Sequence, residues 1–137
     1  MRVAPHGVRD LKVWQKAILL VEDCYRISIV LPKEERFGLT SQIRRAASSV
    51  PANIAEGFGR WNPKEFSRFL AMASGSLREL ETHIFIACRL GFLTTIATES
   101  VFRKIDELAR MLYSLREKLN TEIRGRHLID RHQLGEK

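Results

Sequence analysis

The sequence contains only two cysteines, Cys24 and Cys88. They are too few for a disulfide framework and cannot make a zinc site by themselves. Proline (4) and glycine (8) are scarce, which argues against collagen-like, linker-rich and many-turned all-β designs. No apolar run approaches the roughly 18 residues that cross a bilayer, so no membrane partner is expected. The opening stretch from Met1 to Gly7 lacks the apolar segment of a signal peptide. Reduced cysteines and the missing leader together predict a cytoplasmic protein. What remains is an ordinary globular balance, 45% hydrophobic and 28% charged in 137 residues. Area scaling assigns such a chain roughly 7,300 Å² folded against about 23,000 Å² unfolded, enough burial for one self-sufficient core. Twenty-three Lys and Arg against 16 Asp and Glu leave a net charge of +7. A basic surface favours a polyanionic partner such as RNA, DNA or anionic lipid.

Apolar spacing is helical throughout. Asp10 is an N-cap residue for a first helix, whose seam reads Leu11, Trp14, Ile18, Val21, Tyr25 and Ser28. Two further rows, Val13–Leu20–Ile27 and Ala17–Cys24–Leu31, make this helix apolar on several sides, so it must be covered on more than one side. Pro32 is expected to end it. The second helix spans about Leu39 to Phe58, with Ile43, Ala46, Val50 and Ile54 facing the core and a kink expected at Pro51. Asn62-Pro63-Lys64-Glu65 combines an N-cap, proline at the first helical position and an acid at the third. The third helix then runs to about Leu90, and Gly91 is its stop. Gly75, mid-helix among Ala71, Ser74 and Ser76, marks close approach of a neighbouring backbone. A fourth helix starts at Thr98-Glu99 and carries Val101, Ile105, Leu108, Leu112, Leu115 and Leu119. The organisation predicted is an N-terminal arm (1–9), a four-helix up-down-up-down bundle (10–120) and a polar, mobile C-terminal tail (121–137).

Catalytic chemistry finds no support in the residues. No glutamate has a histidine three positions later, as bundle di-iron sites require, and His-Glu-x-x-His and Cys-x-x-Cys are absent. No nucleophile is paired with a base. The expectation is a protein without catalytic residues, metal or cofactor. The two cysteines sit in apolar rows and read as small core residues. His83 follows Glu79 by four and reads as a surface pair.

The basic residues are more informative. Arg44, Arg60, Lys64 and Arg68 cluster from the second helix through the turn into the third, with Trp61 at the turn. Arginine binds phosphate through its planar fork, and an aromatic face can stack on an unpaired base. The other reading is a set of solvated charges around a turn-covering tryptophan. Arg45, Ser49 and Glu56, with Asn53 beside them, form a polar strip of the second helix suited to packing against another helix or subunit; Gly75 belongs to the same structural set.

The stretch from Leu31 to Ala47, Leu-Pro-Lys-Glu-Glu-Arg-Phe-Gly-Leu-Thr-Ser-Gln-Ile-Arg-Arg-Ala-Ala, resembles the four-helix proteins encoded within 23S ribosomal RNA intervening sequences. The resemblance continues through Ser49-Val50-Pro51-Ala52-Asn53-Ile54-Ala55-Glu56-Gly57, Ala73-Ser74-Gly75-Ser76-Leu77 and Leu90-Gly91-Phe92. It implies a non-enzymatic bundle that assembles as a ring-like homopentamer. The family includes the accessory variability determinant (Avd) proteins of diversity-generating retroelements, which bind nucleic acid and a reverse transcriptase. Two functions are therefore expected as alternatives: an oligomeric accessory protein binding RNA or DNA, with a reverse transcriptase as the partner the resemblance implies, or a protein–protein scaffold whose charge is incidental.

Overall fold

The structure, a computed structural model, describes residues 7–133 and Gly135. Among them the chain forms four α-helices: α1 (Lys12–Ser28), α2 (Leu39–Phe58), α3 (Pro63–Arg89) and α4 (Thr95–Gln133). Each packs on its neighbours in chain order, and α4 returns to α1. Cross-helix contacts run antiparallel: Arg44 reaches Ser28, Ser49 meets Ser76, Ser67 meets Asn120, and Lys16 meets Glu107. The architecture is an up-down-up-down bundle. No strand occurs among the described residues.

One core fills the bundle. α2 contributes Ile43, Ala46, Ala47, Val50 and Ile54; α3 contributes Leu70, Ala73, Leu77, Leu80, Ile84 and Ala87; α4 contributes Val101, Ile105, Leu108 and Leu112. Pro51 is buried within α2, which runs on for seven residues beyond it to Phe58. Its missing amide leaves the carbonyl of Ala47 without the usual helical donor. At Gly57 α2 and α3 approach closely: a Cβ added there would lie 2.6 Å from the Cβ of Phe69 and 3.1 Å from the Phe66 ring.

Several local expectations are corrected. α1 is preceded by a 3₁₀ turn over Val8–Asp10, so Asp10 closes that turn and Leu11 stands at the N-cap without a side-chain cap bond. The core face of α1 is Val13, Ala17, Leu20, Cys24 and Ser28, whereas Trp14, Ile18 and Val21 are half-buried and Tyr25 is exposed. All these rows have helical period, so spacing alone could not choose between them. Small Ala17 and Cys24 settle the choice by letting neighbouring helices approach. α1 ends at Ser28, the residue whose carbonyl the missing amide of Pro32 cannot serve, as expected; the Ser28 hydroxyl donates to the carbonyl of Tyr25 and accepts from Arg44. α4 starts at Thr95, capped by the Thr94 hydroxyl, which accepts the amide of Ala97. Thr98 lies inside the helix, fully buried, donating to the carbonyl of Thr94.

The largest correction concerns the tail. α4 does not stop at Asn120 but continues to Gln133, 39 residues or about 58 Å at 1.5 Å per residue. The segment keeps strong helix formers and the Glu122–Arg126 pair one turn apart, at 3.0 Å, so helix persists where the apolar seam fades. Residues 1–6 of the expected arm, and residues 134, 136 and 137, lie outside the described residues.

Gly75 corrects a second reading, because a Cβ placed there meets nothing within 4 Å. No neighbour inside the subunit requires its small size. The two glycines should therefore respond oppositely to alanine. Gly57→Ala forces the α2–α3 contact apart and is expected to destabilise by about 1–3 kcal/mol. Gly75→Ala is expected to stabilise by about 0.5–1 kcal/mol through helix propensity. Thermal melts of the two variants followed by circular dichroism check this, and a Gly57→Ala melt at or above the parent would contradict the packing described.

Candidate nucleic-acid interface

The turn between α2 and α3 is built by its sequence. Gly57 permits the helices to close, and Asn62 accepts the amides of Lys64 (2.9 Å) and Glu65 (3.1 Å) to start α3. Between them Trp61 is held at φ 55°, the one non-glycine residue with positive φ among the described residues. That conformation is rare for a bulky side chain and costs backbone strain. Trp61 is also 81% exposed. Its ring lies 5.9 Å from that of Phe58, tilted by 45°, and Phe58 meets Phe66 edge-on at the same distance.

A cavity of about 250 Å³ opens beside these rings, with Leu119 and Arg126 as its far wall. Neither α4 residue was identifiable from the sequence pattern, since both are more than 50 positions from Trp61. Arg126 belongs to the segment first read as a separate tail. The register that brings them in is marked by the Ser67 hydroxyl donating to Asn120 at 2.9 Å.

The five residues proposed from sequence for phosphate and base contact are brought to different states. Arg44 lies about midway along the bundle wall from the turn: its Nε donates to the Ser28 hydroxyl at 2.9 Å, and its guanidinium stacks 4.6 Å from the Tyr25 ring centroid. It ties α2 to the end of α1. Arg60 pairs with Glu56 at 2.7 Å and lies over the Phe69 ring at 5.2 Å. Arg68 takes Glu65 in a two-pronged pair at 2.9 and 3.2 Å and also lies over the Phe69 ring, at 4.6 Å. The hydrogen bond from Arg68 holds the Glu65 carboxyl below its ordinary range, and the same bond raises Arg68. Lys64 is exposed and its ammonium has no partner among the described residues. The turn thus sets three cations against Glu56 and Glu65, leaving one positive charge in excess.

The polar strip of α2 acts within the subunit. Ser49 and Ser76 share a hydrogen bond of 2.9 Å across α2 and α3, and Asn53 donates to the Ser49 carbonyl and hydroxyl at 2.9 and 3.1 Å. Glu56 is engaged by Arg60 on its own chain segment, while Arg45 is exposed with no partner among the described residues. Cys24 is buried, and burial pushes its thiol up to about 12, with the Asp23 charge adding to the effect. Among the described residues no group of three or more His, Cys, Asp or Glu is placed to hold a metal ion. Among the described residues no helix is long and apolar enough to cross a membrane.

These features define an all-helical four-helix bundle protein with an exposed tryptophan on a basic turn. The chain belongs to the 23S rRNA-intervening sequence protein family, whose model matches residues 9–114. Among curated proteins none matches it at a significant level.

The geometry assigns Arg44 a structural role that can be measured. Arg44→Ala removes one charge-assisted bond and one cation–π contact, and is expected to destabilise by about 1–2 kcal/mol. A melting temperature unchanged from the parent would refute that role.

Proposed function

We propose that this protein is a non-catalytic, homo-oligomeric accessory factor that binds RNA or DNA. The observation that supports it best is Trp61, a large apolar ring held out in solvent at a strained backbone position, beside the unpaired ammonium of Lys64. Base–aromatic stacking is sequence-tolerant because every base has a π-face. Arg60 and Arg68 add contacts if a phosphate displaces Glu56 and Glu65. We further propose that the subunits form a closed ring of five, with α2 bent at Pro51 and the assembly cytoplasmic. A reverse transcriptase is the proposed protein partner. The number five and the reverse transcriptase come from the family resemblance. Oligomerisation has its own physical support in the large apolar side chains that the subunit leaves exposed. Leu19 on α1 and Met72, Phe85, Ile86 and Leu90 on and just after α3 are among the exposed apolar residues.

The alternative, a protein–protein scaffold without a nucleic-acid role, is favoured by the two carboxylates that already hold Arg60 and Arg68.

Affinity for a fluorescent single-stranded oligonucleotide, measured across a range of salt concentrations, separates the two. The parent is expected to bind with a steep salt dependence, and Trp61→Ala to weaken binding by about 5–150-fold, the equivalent of 1–3 kcal/mol per stacked base. No binding by the parent at low salt would decide for the scaffold. Native mass spectrometry showing a 15.8 kDa species at micromolar concentration would remove the oligomer.

A further inference from the structure

The cations of this chain differ in whether an acid already holds them. Lys16 is paired with Glu107 at 3.1 Å, Arg103 with Glu99 at 3.2 Å, and Lys104 with Asp23. Lys12, Arg110 and Lys118 have no ion pair or hydrogen bond among the described residues, and all three are exposed. The fold brings these three together. They line one groove of about 430 Å³ between the start of α1 and the middle of α4.

Arg110, Ser114 and Lys118 follow one another at steps of four, which places them along one face of α4. Lys12 forms the opposite wall. Glu107, which also lines the groove, is committed to Lys16; Asp106, one turn before Arg110, and Glu117, beside Lys118, make no ion pair among the described residues and lower the local potential without engaging these cations. The first turn of α1 contains no acid and its N-cap makes no side-chain bond. Three cations without an ion pair therefore share a groove with a hydroxyl between two of them.

We infer that this groove is a track for the phosphodiester backbone of a nucleic acid, with Lys12, Arg110 and Lys118 as its phosphate contacts. The inference rests on the nucleic-acid reading above and moves the main phosphate contacts away from the α2–α3 turn. Size argues for a polymer. Eight residues separate Arg110 from Lys118, about 12 Å along the helix, which is the axial rise of three to four phosphates of one duplex strand at about 3.4 Å each. Position argues for a nucleic acid over an acidic peptide. The antiparallel order puts the start of α1, the Trp61 turn and the second half of α4 at one end of the bundle, and Leu119, adjacent to Lys118, lines the Trp61 cavity. A strand laid in the groove thus leads toward an aromatic platform on which its bases can stack.

The test compares the full chain with Arg110→Glu plus Lys118→Glu, with the charge-preserving pair Arg110→Lys plus Lys118→Arg, and with Trp61→Ala. Affinities for a single-stranded oligonucleotide and for polyglutamate are measured across a range of salt concentrations, and light scattering reports oligomer size. The charge-reversed pair is expected to lose at least tenfold in oligonucleotide affinity while keeping oligomer size. Its log–log salt slope should shrink in magnitude by about 1.4, two phosphates at about 0.7 each for a single strand. The charge-preserving pair should keep the parent slope. If the parent and Trp61→Ala differ in affinity but the charge-reversed pair binds with the parent's affinity and slope, the groove is not the track although the nucleic-acid reading stands. If the parent binds no oligonucleotide, both fall. Polyglutamate binding as tight as the oligonucleotide, or loss of oligomer size on charge reversal, would assign the groove to an acidic protein or to a second copy and overturn the inference.

Discussion

The close approach of α2 and α3 at Gly57 is the contact on which the rest of this structure depends. A hydrogen in place of a methyl group lets the α2 backbone sit against Phe66 and Phe69. The two helices then stay parallel to one another's surfaces long enough for Ala46, Ala47, Val50 and Ile54 to meet Leu70, Ala73, Leu77 and Leu80. Interiors pack at near-crystalline density, so a fixed contact at one end of a helix pair constrains side chains several turns away. The Ser49–Ser76 bond, with Asn53 behind it, satisfies polar groups at this seam. The same contact leaves only four residues, 59–62, to reverse the chain, and Trp61 takes up the strain of that reversal.

Charge on this surface is distributed by helix geometry before any ligand arrives. Acids three or four positions from an arginine on the same segment engage it, as Glu56 does Arg60, Glu65 does Arg68, Glu81 does Arg78 and Glu99 does Arg103. Such exposed pairs contribute little to stability. Their effect is on the field: a cation with a carboxylate beside it offers a phosphate less than one without. Counting basic residues along the chain therefore overstates the α2–α3 turn. It understates the α1–α4 groove, whose cations come from opposite ends of the sequence and have no acid bound.

The surplus of exposed apolar surface comes from the same arrangement. A four-helix core gives α1 room to bury one stripe, Val13, Ala17, Leu20 and Cys24, and leaves Leu19 and Tyr25 outside. On α3 the buried row leaves Met72, Phe85 and Ile86 facing outward. A chain with three apolar rows on one helix has more apolar area than a single bundle can cover, which is the physical basis for expecting a second subunit against it.

The sequence by itself determined the helical class, the number of helices, the bounds of α2, and the Asn62-Pro63 start of α3, because these follow from period and capping chemistry within a few residues. It also determined the lack of a metal-ligand or nucleophile pattern. Which of three equally periodic rows of α1 faces inward was decided only when Ala17 and Cys24 met their neighbours. The continuation of α4 past Asn120 was likewise hidden, since the apolar signal ends there while helix propensity and the Glu122–Arg126 pair carry on. Of the candidate contacts, Trp61 and Lys64 were legible as an exposed aromatic and a cation at a turn. The commitment of Arg44 to Ser28 and Tyr25, and the meeting of Lys12 with Arg110 and Lys118, were not. Those depend on which side chains lie within a few ångströms across helices, a distance that only tertiary packing sets.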